Sequence, residues 1–205
     1  DRGDEWDAAI YENRLHYRDS KGRISLPLPR MPGPHQADNA ALAIAMLRHQ
    51  DAIAVPESAM AAAMEWTHWP ARLQRLGAGP LTAFLPEGTE IWLDGGHNPD
   101  AGAAIARHFE ASEKRLHLII GMLANKTPSA IIVPLADKIA SITVLPVHGH
   151  EHHSVEAFGP DAHAAGTVAE ALAVLSIDPD SEAVLIAGSL YLSGEVLKAN
   201  NQLPD

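Results

Sequence analysis

The run LHLIIGML at residues 116–123 constrains the fold most. A strand with one face in water alternates apolar and polar side chains. A near-continuous apolar run instead predicts a strand covered on both faces, the situation of a parallel sheet between layers of helices. Its surroundings agree. Ile91-Trp92-Leu93 reads as a short buried strand, 100–112 as a helix, 127–139 as a helix with Thr127 as cap and Pro128 at its first position, and 142–147 as a strand. Then follow a helix over 160–175, a strand over 183–187 and a helix over 189–199. Strands alternating with helices imply βαβ crossovers and a mostly parallel sheet, the α/β class. Residues 71–76 could form a further strand, and 81–85 are another short apolar segment.

The first third of the chain follows a different pattern. Residues 1–34 read as extended, with the turn cluster Asp19-Ser20-Lys21-Gly22 and the alternating Ile24–Leu28 forming a hairpin. Pro27 and Pro29 suit an edge strand. Met31-Pro32-Gly33-Pro34 breaks the chain. HQADNAALAIAMLRHQ, 35–50, has strong helical spacing, and Pro56 opens a second helix from Glu57 to about Trp66. Thr67-His68-Trp69-Pro70 reads as a hinge, because proline disfavours helix at the residue before it. The domain boundary is placed there, giving 1–67 and 68–205.

Composition excludes several roles. The net charge of −11 argues against nucleic acid and anionic membranes, whose phosphates need clustered Lys and Arg. No apolar run approaches a membrane span, and no signal peptide is visible. Cysteine is absent, which suits a reducing cytoplasm. A soluble, cytoplasmic monomer is expected. The chain starts at Asp1 rather than Met, so a processed or truncated piece of something longer is expected too.

Three strand ends carry chemistry: Asp94-Gly-Gly-His97-Asn98, Gly121-Met-Leu-Ala-Asn125-Lys126 and Gly188-Ser189-Leu-Tyr191. Each lies between a strand and a helix, so a parallel sheet places them on one crest, where open α/β sheets bind ligands. An acid, an imidazole, a lysine and a hydroxyl there suit a small zwitterion or phosphates. Each alone has a plainer reading: a tight turn at Asp94, a solvated charge at Lys126, a helix cap at Ser189. Asn98 could cap the helix opened by Pro99. Asn39, near the first turn of its helix, is either a ligand contact or a residue tolerated on a polar face. His148-Gly-His150-Glu151-His152-His153 offers metal-type donors, but its spacing fits no HExxH helix, and an exposed loop is the expectation. No G-x-x-x-x-G-K-[ST] or G-x-G-x-x-G occurs, so Arg72, Asp94 and Lys126 make only half of a nucleotide site.

Five co-linear motifs make a resemblance specific: HQADNAALAI (35–44), WPARLQ (69–74), LDGGHNPDAG (93–102), GMLANKTP (121–128) and AGSLYLSGEVL (187–197). Together they resemble the bifunctional dihydrofolate synthase/folylpolyglutamate synthase branch of the Mur ligase superfamily. The resemblance implies that 1–67 is the end of a central ATPase domain, here a hairpin and two helices. It implies that 68–205 is the C-terminal, Rossmann-like glutamate ligase domain. It further implies nucleotide contacts from Asn39, Arg72 and Asp94, catalytic roles for Arg72, Asp94 and His97, and glutamate contacts from His97, Ser189 and Lys126. The cofactors implied are ATP and Mg2+, with phosphate loop and metal ligands in an N-terminal region outside this sequence. The substrates implied are L-glutamate and dihydropteroate or folates. By itself the chain is then expected to be inactive. Another Mur-type amino-acid ligase and a non-catalytic nucleotide- or glutamate-binding module are the alternatives. Three residues depart from the family pattern: Ala71 for Gly, Gly96 for Ala and Asn125 for Asp.

Overall fold

The computed structural model describes residues 1–31, 33 and 35–203; the break expected at Pro32 and Pro34 lies outside the described residues. The chain divides into two compact units, Asp1–Trp69 and Pro70–Asp205.

The first unit is a three-stranded antiparallel sheet with two helices. Its strands β1 (Trp6–Tyr11), β2 (Arg14–Asp19) and β3 (Gly22–Pro27) pair in the order β1-β2-β3. The expected hairpin is therefore only β2–β3, and β1 adds a third strand. Tyr11 pairs with Arg14, leaving a two-residue turn at Glu12 and Asn13 with φ of 50° and 56°. Two successive positive φ values are what a primed turn needs to match strand twist. Leu15, Tyr17, Ile24 and Leu26 are buried together with Ala37, Ala41, Ile44 and Ala45 of α1 (His35–Arg48) and with Met60 and Met64 of α2 (Glu57–Trp66). The α1 positions follow the i, i+4, i+7, i+8 stripe of a helix with one apolar face.

The second unit is the α/β sheet. In chain order it contains β4 (Gln74–Arg75), β5 (Ile91–Leu93), α3 (Pro99–Glu110), β6 (Arg115–Ile120), α4 (Ser129–Leu135), β7 (Ile139–Val144), β8 (His163–Ala164), α5 (Val168–Ala173), β9 (Glu182–Ala187) and α6 (Leu190–Ala199). The sheet order is β4-β5-β9-β6-β7-β8. Edge strand β4 pairs antiparallel with β5, and the other pairings are parallel. Both faces are buried, as the run at 116–123 requires. Leu116, Leu118 and Ile120 pack with α3 and α4, through Ile105, Phe109, Ile131 and Leu135. Ile119 packs on the opposite side with α5 and α6, through Ala171, Leu172, Leu192 and Val196.

Several expected elements are shorter. Within 71–76 only Gln74–Arg75 is strand, because Ala71 and Leu73 sit at φ of 54° and 44°, outside the β region. Residues 81–85 contain a 3-10 turn, Thr82–Phe84. The helix expected over 127–139 is Ser129–Leu135. It has no side-chain cap, and Ile139 already belongs to β7. The helix expected over 160–175 is only Val168–Ala173, capped by Thr167, and His163–Ala164 instead extends the sheet. Among the described residues no helix is long and apolar enough to cross a membrane.

Candidate functional site

Register aligns the strand ends. Leu93 lies beside Ile186, and Ala187 lies beside Ile120, which lies beside Val144. Beyond them Gly188 N donates to the Gly96 carbonyl at 3.0 Å and Gly121 N to the Ala187 carbonyl at 3.2 Å. The three predicted segments thus form one crest.

Asp94 is its keystone. The residue is 6% exposed. Its Oδ2 accepts from Leu73 N at 2.8 Å and its Oδ1 from Gly96 N at 2.6 Å. Gly95 N also donates to the Ala71 carbonyl at 2.9 Å. These bonds hold the loop 71–73 in its left-handed backbone states and so place Arg72 over the crest. A Cβ built on Gly95 would lie 3.2 Å from Arg72 Nη1 and 2.2 Å from Leu190 Cδ2, so a side chain there would displace both neighbours. Gly96 is equally closed, since a Cβ there would fall 2.7 Å from both Asp94 Oδ1 and Ala101 Cβ. The departure from alanine at this position is thus matched to the packing of this chain. The amide clamp on Asp94 is a role that sequence reasoning missed, because Leu73 N comes from 21 residues upstream.

His97 follows. Its Nδ1 lies 2.9 Å from the Gly95 carbonyl, which can only accept, so Nδ1 carries the proton and a neutral ring keeps Nε2 as an acceptor. Asn98 caps α3, accepting from Ala101 N, with Pro99 at the start of the helix. His97, Asn98, Lys126, Thr127 and Ser129 line one cleft of about 500 Å³, with Ala130, Val133 and Pro134 among its apolar residues. The Lys126 carbonyl faces His153 Nε2 at 2.6 Å, and Ala124 N donates to the Glu151 carbonyl at 3.0 Å. The histidine-rich loop therefore braces the lysine segment. Among the described residues no group of three or more His, Cys, Asp or Glu is arranged to hold a metal ion.

Ser189 is 3% exposed, and its Oγ accepts from Tyr191 N at 3.1 Å. It caps α6, which is the plainer of its two readings. The Tyr191 ring packs against His150, tilted by 34° at a centroid distance of 3.9 Å, a pairing not anticipated from sequence. Arg72, Asp94, His97, Lys126 and Ser189 all belong to the second unit. Asn39 belongs to the first, where its Nδ2 donates to Gln36 Oε1 at 3.2 Å.

Residues 72–190, more than half of the chain, match the Mur ligase, glutamate ligase domain. The chain belongs to the Mur ligase family. Among relatives of this Mur ligase chain, the folylpolyglutamate synthase of Lacticaseibacillus casei is 31% identical over 192 residues, covering 89% of this chain and 42% of the relative. A probable bifunctional folylpolyglutamate synthase/dihydropteroate synthase of Halobacterium salinarum is 30% identical over 204 residues, covering 91% and 23%. Among solved structures, E. coli FolC in complex with ADP, without folate substrate, has a TM-score of 0.73 at 25% identity, covering 96% of this chain and 46% of that one. The chain spans less than half the length of each of these three proteins.

Proposed function

We propose that the chain supplies the glutamate-accepting half of an ATP-dependent ligase that adds L-glutamate to dihydropteroate or folates. The observation that carries this reading is the cleft shared by His97 and Lys126 beside the Arg72 crest. An amino acid is a zwitterion. A neutral His97 offers Nε2 to its ammonium, and Lys126 offers a cation to a carboxylate. Arg72 offers a planar, permanently charged fork suited to phosphate. In the reaction, the γ-phosphoryl group of ATP passes to a substrate carboxylate, giving an acyl phosphate and ADP. The glutamate amine then attacks the acyl carbon, phosphate leaves with its bonding pair, and the amine loses a proton. Arg72 offsets the charge that builds on the transferring oxygens. Asp94 serves by holding loop 71–73, and Ser189 by anchoring α6 beside the crest. Arg72 would hold a phosphate of ATP, and none of these residues is assigned to Mg2+. Asn39 is a nucleotide contact on the other unit. Residues 1–67 are read as the end of the ATPase domain and 68–205 as the ligase domain. By itself the chain is expected to consume no ATP.

NMR-detected titration of the 205-residue chain tests this reading. ADP is expected to shift the Arg72 and Gly95 signals, and L-glutamate those of His97 and Lys126. Arg72→Ala is expected to weaken ADP alone, and Lys126→Ala to weaken glutamate alone. Absence of either ligand's effect at these positions, with the chain folded, would sink the assignment.

A further inference from the structure

One residue of the histidine-rich loop clamps both ends of the turn that carries Lys126. The His153 amide donates to the Met122 carbonyl at 3.0 Å, and Met122 is fully buried at the end of β6. Its ring reaches across the turn, with Nε2 2.6 Å from the Lys126 carbonyl. A carbonyl only accepts, so Nε2 carries a proton. A charged ring keeps that proton too, so the bond does not depend on the charge of His153. The ring stands edge-on to Phe158, at 6.2 Å between centroids and 85° between planes, and Phe158 is 4% exposed. Its orientation is therefore set by the core. The other histidines of the loop are engaged elsewhere: His148 faces Glu195, His150 packs on Tyr191, and His152 Nδ1 faces the His150 carbonyl.

Lysine has four rotatable bonds, and holding its ammonium in one place costs side-chain entropy. Among the described residues the Lys126 ammonium has no hydrogen bond or ion pair. What fixes its reach into the cleft beside His97 is then the backbone from which it springs. We propose that His153 is a positioning residue for glutamate. By holding the Lys126 carbonyl it sets the backbone at Lys126, and so aims the ammonium at a carboxylate of the bound amino acid. The inference rests on the reading of Lys126 as a glutamate contact.

The test is a double-variant cycle on the 205-residue chain, with L-glutamate and ADP titrated separately by NMR. His153→Leu keeps apolar bulk beside Phe158 and the backbone bond to Met122, but has no donor for the Lys126 carbonyl. It is expected to bind glutamate about fivefold more weakly, the value of one hydrogen bond, with ADP unchanged. His153→Gln places an amide nitrogen near the position of Nε2 and is expected to come within about twofold of wild type. Lys126→Ala keeps the carbonyl and removes the ammonium. In that background His153→Leu is expected to cost nothing further, because it acts only through the lysine. The proposal is overturned if His153→Leu binds glutamate as wild type does, if the two losses multiply in the double variant, if glutamine rescues nothing, or if ADP affinity falls in step. Should His153→Leu unfold, His153→Asn takes its place in the cycle, since its shorter amide falls short of the carbonyl. A wild-type chain that binds no glutamate, or a Lys126→Ala chain that binds it undiminished, overturns the reading of the cleft, and this inference with it.

Discussion

Ala71 and Leu73 flank Arg72 with φ of 54° and 44°, a conformation that costs an L-residue roughly 1–2 kcal/mol. Two features offset the cost. The Leu73 amide is taken by the Asp94 carboxylate, and the Leu73 side chain is 2% exposed in the core. Ala71 is also buried, but its small side chain returns little. The family pattern has glycine at this position, and the backbone gives the reason. Ala71→Gly is expected to stabilise the second unit by about 1 kcal/mol, read as a higher urea midpoint with an unchanged slope. A lower midpoint would mean that the loop tolerates its backbone state without strain, and that glycine only adds entropy to the unfolded chain.

Helix α3 packs closely on α4 at a glycine. A Cβ built on Gly102 of α3 would lie 1.9 Å from the Ala130 carbonyl of α4. The obstacle is backbone, so a side chain cannot swing aside. Gly102→Ala is expected to cost about 2 kcal/mol or more, despite alanine's better helix propensity. It should also open the cleft between His97 and Lys126 and weaken glutamate binding, measurable in the same titration. What sequence reveals about elements depends on how local their determinants are. The α3 start was legible because Asn98 and Pro99 specify it in adjacent residues, and β6 because its apolar run exceeds what one face can bury. The α5 start was not, since AHAAGTVAEALAVL has helical composition upstream of the true cap at Thr167. Nor was the β1–β2 turn, because Glu12-Asn13 contains no glycine to announce its positive φ. At the site, the crest followed from parallel topology, whereas the Asp94 clamp depends on an amide that only the folded loop delivers.

At the scale of the whole molecule the buried residues form separate cores. One spans Leu15 to Met64 and lies entirely in the first unit, and the other two span residues 71–197 in the second. Each unit has buried cores of its own among the described residues, and unfolding is expected to take more than a single two-state event. The first unit is the smaller, and small domains have little stability in reserve. A buried ion pair contributes to that stability. Arg48 Nε and Nη2 each donate to Asp19 at 2.7 Å, tying the last turn of α1 to β2, and the Asp19 side chain is fully buried. The Arg48 hydrogen bonds lower the Asp19 pKa to about 2 from 3.8. A depressed carboxylate pKa stabilises the fold above the unfolded value. That contribution, about 2 kcal/mol, is lost as pH falls from 3.8 through about 2. Calorimetry is therefore expected to show two transitions, with the lower one belonging to the first unit and falling further between pH 4 and pH 2. Asp19→Asn should lower that transition at pH 7 and flatten its dependence across the same window, while leaving the upper transition in place. A single transition that moves as a whole in the variant would show that the units fold as one. Two transitions would mean that acid removes Gln36 and Asn39 from the folded molecule while Arg72, His97 and Lys126 remain on their sheet.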